Sequence, residues 1–279
     1  MLPVETFRTL RRRRFACLDF GGPGPAVLAL HGHFGRSRLF APLAAALAGR
    51  HRVIALDQRG HGLSDHGGDF GPDAYVEDAA ALLRALDLGP VAVLGHSMGG
   101  LVALHLAARH PELVDALVVA DMTVLNREPE AHPVLDVSDW PRRAATRDGL
   151  RRAIEERGVP DAGYFLESAV RDGDGWRLLF DPAEMMASQH AMTGDHSAAW
   201  YASRQPALLL RGGDTFMLDR GTAERMAAGR PGTELVELPD CGHWLYADDP
   251  DGFAYAVGAF LDRHRGAGHH GAGPSGGGA

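Results

Sequence analysis

Seven short aliphatic runs recur along the chain, and most are separated by stretches whose apolar residues fall on one helical face. The runs are RFACLDFG (14–21), AVLALHG (26–32), RVIALD (52–57), VAVLGHS (91–97), LVDALVVAD (113–121), ALLLRGG (207–213) and TELVELPD (233–240). The central runs are apolar without alternation, the pattern of strands covered on both faces. Amphipathic stretches at 42–48, 74–86 and 101–109 lie between them. This β-α alternation predicts an α/β fold with a doubly wound, mostly parallel sheet.

The rhythm stops after Asp121 and resumes at Pro206. From 122 to 204 the pattern has helical patches and no central strand, and Trp140, Trp176, Trp200, Tyr164 and Tyr201 all fall there. The division predicted is a core over 1–121, a helical cap over 122–204, the rest of the core over 205–265, and a flexible glycine-rich tail over 266–279. The cap aromatics divide between the cap's own core, the default for most of them, and a pocket. Trp140 and Trp200, with Phe34 and Trp244 outside the interval, are the pocket candidates.

Composition narrows the function classes. The 279 residues are 45% hydrophobic and 23% charged, with a net charge of −8. That balance is ordinary for a globular protein and lacks the basic face of a nucleic-acid binder. The run Arg11–Arg14 reads as a solvated edge beside an early strand. No apolar stretch approaches membrane-spanning length, and Cys17 and Cys241 are too few and too far apart for a disulfide framework. A cytoplasmic protein with reduced thiols, monomeric or homodimeric, is expected. Neither a dinucleotide fingerprint nor a P-loop occurs, so no cofactor is expected. HGLSDHGGD (61–69) and His269-His270 offer only faint metal patterns, and no metal site is predicted.

Chemistry concentrates in VAVLGHSMGGLVALHLAARH, which holds Gly95-His96-Ser97-Met98-Gly99 between an apolar strand and a helix. A G-x-S-x-G in that context puts the serine on a sharp strand-to-helix turn, with small neighbours making room. The helix N-terminus then directs free N–H groups and positive dipole at developing negative charge. His243 follows a strand and Gly242 and precedes Asp248-Asp249-Pro250, a helix start. A loop at the carboxyl end of a parallel sheet collects catalytic groups, and imidazole titrates near working pH.

Four segments together resemble the α/β-hydrolase family across nearly all of residues 15–264: LALHGHFG, ALDQRGHGLSD, GHSMGG and LPDCGHWLYADDP. The resemblance implies an eight-stranded sheet with the cap inserted after strand six, Ser97 as nucleophile and His243 as general base. It also implies an oxyanion hole from the backbone N–H groups of Met98 and His33. His31 and His96 read as structural, and Asp57, Arg59, Gly60, Gly62 and Ser64 as the frame of a loop below the site.

The acid is the open position. In the family it commonly lies three or four residues after the glycine ending strand seven, and counting from Gly212 those places hold Thr215 and Phe216. Asp214 sits one residue early and also suits a turn. Asp121 ends strand six on the carboxyl edge, and the empty usual position favours it over Asp214. The leading function is hydrolysis of an ester, lactone or related small acyl compound through an acyl-enzyme. Carbon–carbon bond hydrolysis, cofactor-free haloperoxidase or rearrangement chemistry, and a non-enzymatic small-molecule receptor are the alternatives.

Overall fold

The computed structural model describes residues 2–264. Six strands form before the first long excursion: β1 (Val4–Leu10), β2 (Arg13–Asp19), β3 (Ala26–Leu30), β4 (Arg52–Leu56), β5 (Val91–His96) and β6 (Val114–Ala120). Helices α1 (Ala41–Leu47), α2 (Pro72–Leu86) and α3 (Met98–Arg109) connect them. β1 is absent from the seven runs of the sequence pattern, for a physical reason. It is an edge strand whose residues are mostly exposed or half-buried, so selection for apolar side chains is weak there. It pairs with β2 across a turn at Arg11 and Arg12, both with positive φ (48° and 67°). Arg13 turns back to donate to the Asp65, His66 and Gly67 carbonyls.

Beyond β6 the chain leaves the sheet. It forms β7 (Leu125–Asn126), β8 (Arg143–Ala144), α4 (Arg147–Glu155), α5 (Gly163–Leu166), β9 (Ala169–Asp172), β10 (Gly175–Leu178), α6 (Pro182–Ala191), β11 (Gly194–Asp195) and α7 (Ser197–Ala202). The interval is thus not purely helical: β8, β10 and β9 make a small antiparallel sheet, and β11 pairs with β7. The turn Asp172-Gly173-Asp174, with Gly173 at φ +62°, closes the β9–β10 hairpin, and its Asp-Gly signal is legible in the sequence. Helix starts are marked by side-chain caps: Thr146 accepts from the Gly149 N–H and Asp181 from the Ala183 N–H.

The sheet resumes with β12 (Ala207–Gly212), crosses back through α8 (Arg220–Ala228) to β13 (Thr233–Leu238), and the chain ends in α9 (Leu245–Asp248) and α10 (Pro250–Arg263). The eight strands lie in the order β1-β2-β4-β3-β5-β6-β12-β13, parallel from β4 to β13. Alternate residues of each central strand feed opposite layers. Val27, Ala29, Val118, Leu208 and Leu210 join α1 and α10 on one face. Leu28, Leu30, Leu117, Val119 and Leu209 join α2, α3 and α8 on the other. Both faces of the central strands are buried, which is why these strands read as unbroken apolar runs.

A third apolar cluster lies in the excursion, built from Trp140, Leu150, Ile154, Phe165, Phe180 and Met185 around Phe34. Trp200 on α7 belongs instead to the main core, so the chain has rejoined the body of the protein before residue 204. Cys17 and Cys241 are buried free thiols. Among the described residues no helix is long and apolar enough to cross a membrane. The tail expected over 266–279, with His269 and His270, lies outside the described residues.

Candidate active site

Ser97 occupies the turn between β5 and α3 with φ 53° and ψ −125°, a region that side chains rarely adopt. Its glycine neighbours are required by space. A Cβ on Gly95 would stand 2.0 Å from the Gly99 oxygen, and one on Gly99 would stand 2.1 Å from the Leu30 oxygen. The Ser97 N–H donates to Ala120 O at 3.0 Å, tying the turn to β6. Met98 opens α3, so its N–H has no partner within the helix.

His243 follows β13 on a loop whose Gly242 N–H donates to Asp248 Oδ2 at 2.8 Å. Its ring Nδ1 lies 2.8 Å from Asp121 Oδ2, with His243 6% exposed and Asp121 fully buried. The carboxylate is held on both oxygens: Oδ1 accepts from the Gly212 N–H at 3.1 Å and Oδ2 also from the Thr215 hydroxyl at 2.5 Å. A buried carboxylate with three donors has its charge compensated without a cationic neighbour. With Asp121 accepting at Nδ1, the imidazole carries its proton there and turns a lone pair on Nε2 outward. His96 donates from Nε2 to the His243 carbonyl at 2.7 Å, bracing the histidine loop from β5.

Asp214 makes no hydrogen bond or ion pair with His243. It is exposed, and its backbone N–H donates to Cys241 O at 2.9 Å, which links the loop after β12 to the histidine loop. Of the two candidate acids, Asp121 is the one that reaches the imidazole. Thr215, which fills the usual acid position, reaches the same carboxylate.

The loop after β3 is gripped from several sides. Gln58 donates from its backbone N–H to His31 Nε2 at 3.0 Å and from its amide to His31 O at 2.6 Å. From the excursion, Tyr164 donates to His33 O at 2.8 Å and Ser168 to Phe34 O at 2.5 Å. Burial pushes the His31 imidazole down to about 4 and the His33 imidazole to about 3, and holds His96 well below its ordinary value. These rings are neutral near pH 7. Below the loop, Asp57 accepts from the Ser37 and Leu63 N–H groups and Arg59 pairs with buried Asp78 at 2.6 Å.

Ser97, His243 and His33 line one cavity of about 330 Å³, within the range of small-molecule sites. Two of the four pocket candidates, Phe34 and Trp244, line it together with Phe165, Val159, Phe216 and Met217. The other two pocket candidates do not. Trp140 stands behind Phe34, stacked at 6.1 Å between centroids, because the excursion needs a large ring for its own core. Trp200 is fully buried, donates from Nε1 to Met226 O at 2.9 Å and carries the Arg230 guanidinium 4.8 Å over its ring. Sequence reasoning left Tyr164 between the cap's core and a pocket, and missed Ser168, Ser188 and Gln189, since polar residues in an excursion of unpredicted geometry carry no positional signal. Among the described residues no group of three or more His, Cys, Asp or Glu side chains is arranged to hold a metal ion.

Comparison with known proteins gives a consistent result. Residues 25–250 match the sequence profile of the alpha/beta hydrolase fold. The chain is 31% identical over 261 residues to the sn-1-specific diacylglycerol lipase ABHD11 of Mus musculus, covering 88% of this chain and 83% of that one. It is 30% identical to the 2-(acetamidomethylene)succinate hydrolase of Mesorhizobium japonicum, over 86% of this chain and 89% of that one. Among solved structures, an E-2-(acetamidomethylene)succinate hydrolase superposes with a TM-score of 0.84 at 26% identity, covering 94% of this chain and all of that one. With a nucleophile elbow, a buried carboxylate–imidazole pair and hydrolases for relatives, this chain is an enzyme, a hydrolase belonging to the alpha/beta hydrolase fold family.

Proposed function

We propose that Ser97, His243 and Asp121 act as a catalytic triad that hydrolyses a carboxylic ester or related small acyl compound. The carrying observation is the 2.8 Å contact of His243 Nδ1 with buried Asp121, on the cavity that Ser97 also lines. Ser97 Oγ attacks the acyl carbon while His243 Nε2 takes its proton. The oxyanion forms against the N–H groups of Met98 and His33. His243 then returns the proton to the leaving oxygen, and the C–O bond breaks to leave an acyl-Ser97. Water, deprotonated by His243, attacks that ester, and collapse releases the acid and restores Ser97. The substrate is a small molecule, and two buried free thiols fit a reducing, cytosolic setting.

The test is covalent labelling with a fluorophosphonate, followed by turnover of short nitrophenyl esters. Labelling at Ser97, lost in Ser97→Ala together with turnover, is the expected result. A folded Ser97→Ala protein that keeps near-wild-type turnover would overturn the reading. Labelling without ester turnover would favour carbon–carbon cleavage or a receptor role.

A further inference from the structure

Two polar side chains on the cavity wall outside the proposed triad are engaged by the protein. Gln189 accepts from the Leu135 N–H and donates to the Leu135 carbonyl, and the Tyr164 hydroxyl is held by His33 O. His132 is exposed at the rim beside Glu128. Two groups are not so engaged among the described residues: the indole N–H of Trp244, and the His33 ring, which lines the cavity and uses one nitrogen on the protein, Nε2, 2.9 Å from Ser188 Oγ.

That contact assigns a tautomer. Ser188 is fully buried on α6, and its oxygen also lies 2.8 Å from the hydroxyl of Tyr75, a buried residue of α2. Among the described residues Ser188 is the hydrogen-bond partner of the Tyr75 hydroxyl, so Tyr75 must donate to avoid stranding a buried proton. Burial raises the Tyr75 phenol above its ordinary value and keeps that proton in place. Ser188 has one proton left to give, with His33 Nε2 at 2.9 Å and Met98 Sδ at 3.9 Å as acceptors. The thioether is the weaker acceptor and the more distant. His33 Nε2 therefore accepts, and a neutral imidazole then carries its hydrogen on Nδ1. That nitrogen makes no hydrogen bond with the described residues and is not sealed from solvent, and the ring that carries it lines the cavity.

We infer that His33 presents an Nδ1–H donor to the substrate, and that the substrate carries an uncharged hydrogen-bond acceptor beside its acyl group. No Arg or Lys side chain lines the cavity, and most of its wall is apolar. A carboxylate seated there would be desolvated without a counter-charge, whereas an ether, hydroxyl or carbonyl oxygen needs only the one donor. Because the backbone of the same residue is proposed for the oxyanion hole, the ring reaches atoms one or two bonds from the scissile carbonyl. The inference rests on the serine-hydrolase reading for its substrate part, while the tautomer does not depend on it.

Nitrophenyl butanoate, its isostere nitrophenyl methoxyacetate, and the anionic nitrophenyl hemisuccinate form the test set, each rate divided by its hydroxide-catalysed rate. The wild type should favour methoxyacetate over butanoate in kcat/KM by about tenfold, the size of one good neutral hydrogen bond, and should disfavour the hemisuccinate. In His33→Leu the methoxyacetate-to-butanoate ratio should fall toward one, whatever happens to the separate rates. The same ratio in both proteins would overturn the proposal. Independently, the ¹⁵N spectrum of histidine-labelled protein should place the His33 proton on Nδ1, and Ser188→Ala should redistribute it. A proton on Nε2 in the wild type would overturn the assignment without any turnover measurement. Failure of Ser97 labelling would sink the acyl-enzyme instead and leave the spectrum to decide the tautomer.

Discussion

Thr215 and His243 converge on one oxygen: the hydroxyl lies 2.5 Å and the imidazole Nδ1 2.8 Å from Asp121 Oδ2. The threonine is itself fixed, since its Oγ1 accepts from the Met217 N–H at 3.0 Å. The loop after β12 therefore supplies no carboxylate to His243, but it supplies the hydroxyl that orients the carboxylate arriving from β6.

Asp121→Asn should lower kcat steeply, on the order of 10³–10⁴-fold, because an amide donating to Nδ1 favours the wrong tautomer of His243. Asp214→Asn, at an exposed residue that bonds the histidine loop through its backbone N–H, should stay within about threefold of wild type, a surface effect. Ester hydrolysis by the two purified variants decides between them, and a near-silent Asp121→Asn would remove Asp121 from the triad.

Thr215→Val should fall between these extremes. It removes one hydrogen bond to a charged acceptor, about 1.5–3 kcal/mol, so a loss of roughly 10- to 100-fold in kcat is expected. Thr215→Ser should restore most of the rate. Equal damage from both substitutions would mean that the methyl group's packing matters and the hydroxyl does not.

Acid should destabilise this fold earlier than its carboxylates alone would require. His31 and His105 are held down to about 4 and His33 to about 3, all chiefly by burial. An unfolded histidine takes up its proton near 6.5, so between there and the folded values the unfolded state binds more protons. Stability is then complete above about pH 7 and declines as pH falls through 6.5 toward 4, by roughly 2 kcal/mol per such histidine at pH 5. Melting temperatures from pH 8 to 5 should stay flat and then drop, and His105→Gln should shallow the drop. A melting temperature indifferent to pH over that range would contradict the buried neutral rings.

Trp200 and Trp244 should fail in different ways. Trp200→Ala leaves a hole under α3 and strips the packing from Arg230, at a cost of about 3–5 kcal/mol. Its effect should appear in the melting temperature, with KM little changed in the protein that remains folded. Trp244→Ala opens the cavity wall and should alter KM across a series of acyl lengths, with a smaller change in melting temperature.

Legibility in the sequence follows burial and local constraint. β3, β5, β6 and β12 are covered on both faces, so their residues are forced apolar and read as runs. β1, exposed on one edge, left no such trace. Ser97 and His243 carry local marks, a glycine-flanked turn and a glycine-led loop. Asp121 carries a weaker one, its place at the carboxyl end of β6, because its contact with Gly212, 91 residues on, arises only in three dimensions. Trp140 and Trp200 show the reverse limit: a tryptophan announces a large apolar neighbourhood and is silent on which one.

The grip on the loop after β3 bears on how such proteins can be recombined. Tyr164, Ser168 and Ser188 belong to the excursion, yet they hold the carbonyls of His33 and Phe34 and the ring of His33. The excursion is therefore no interchangeable lid that chooses substrates from above. Transplanting it from another member would carry away three fastenings of a loop that stays behind, and a chimera would inherit a new pocket over a slackened reaction centre. Exchange at this junction should succeed only when residues 31–35 travel with the segment that clasps them.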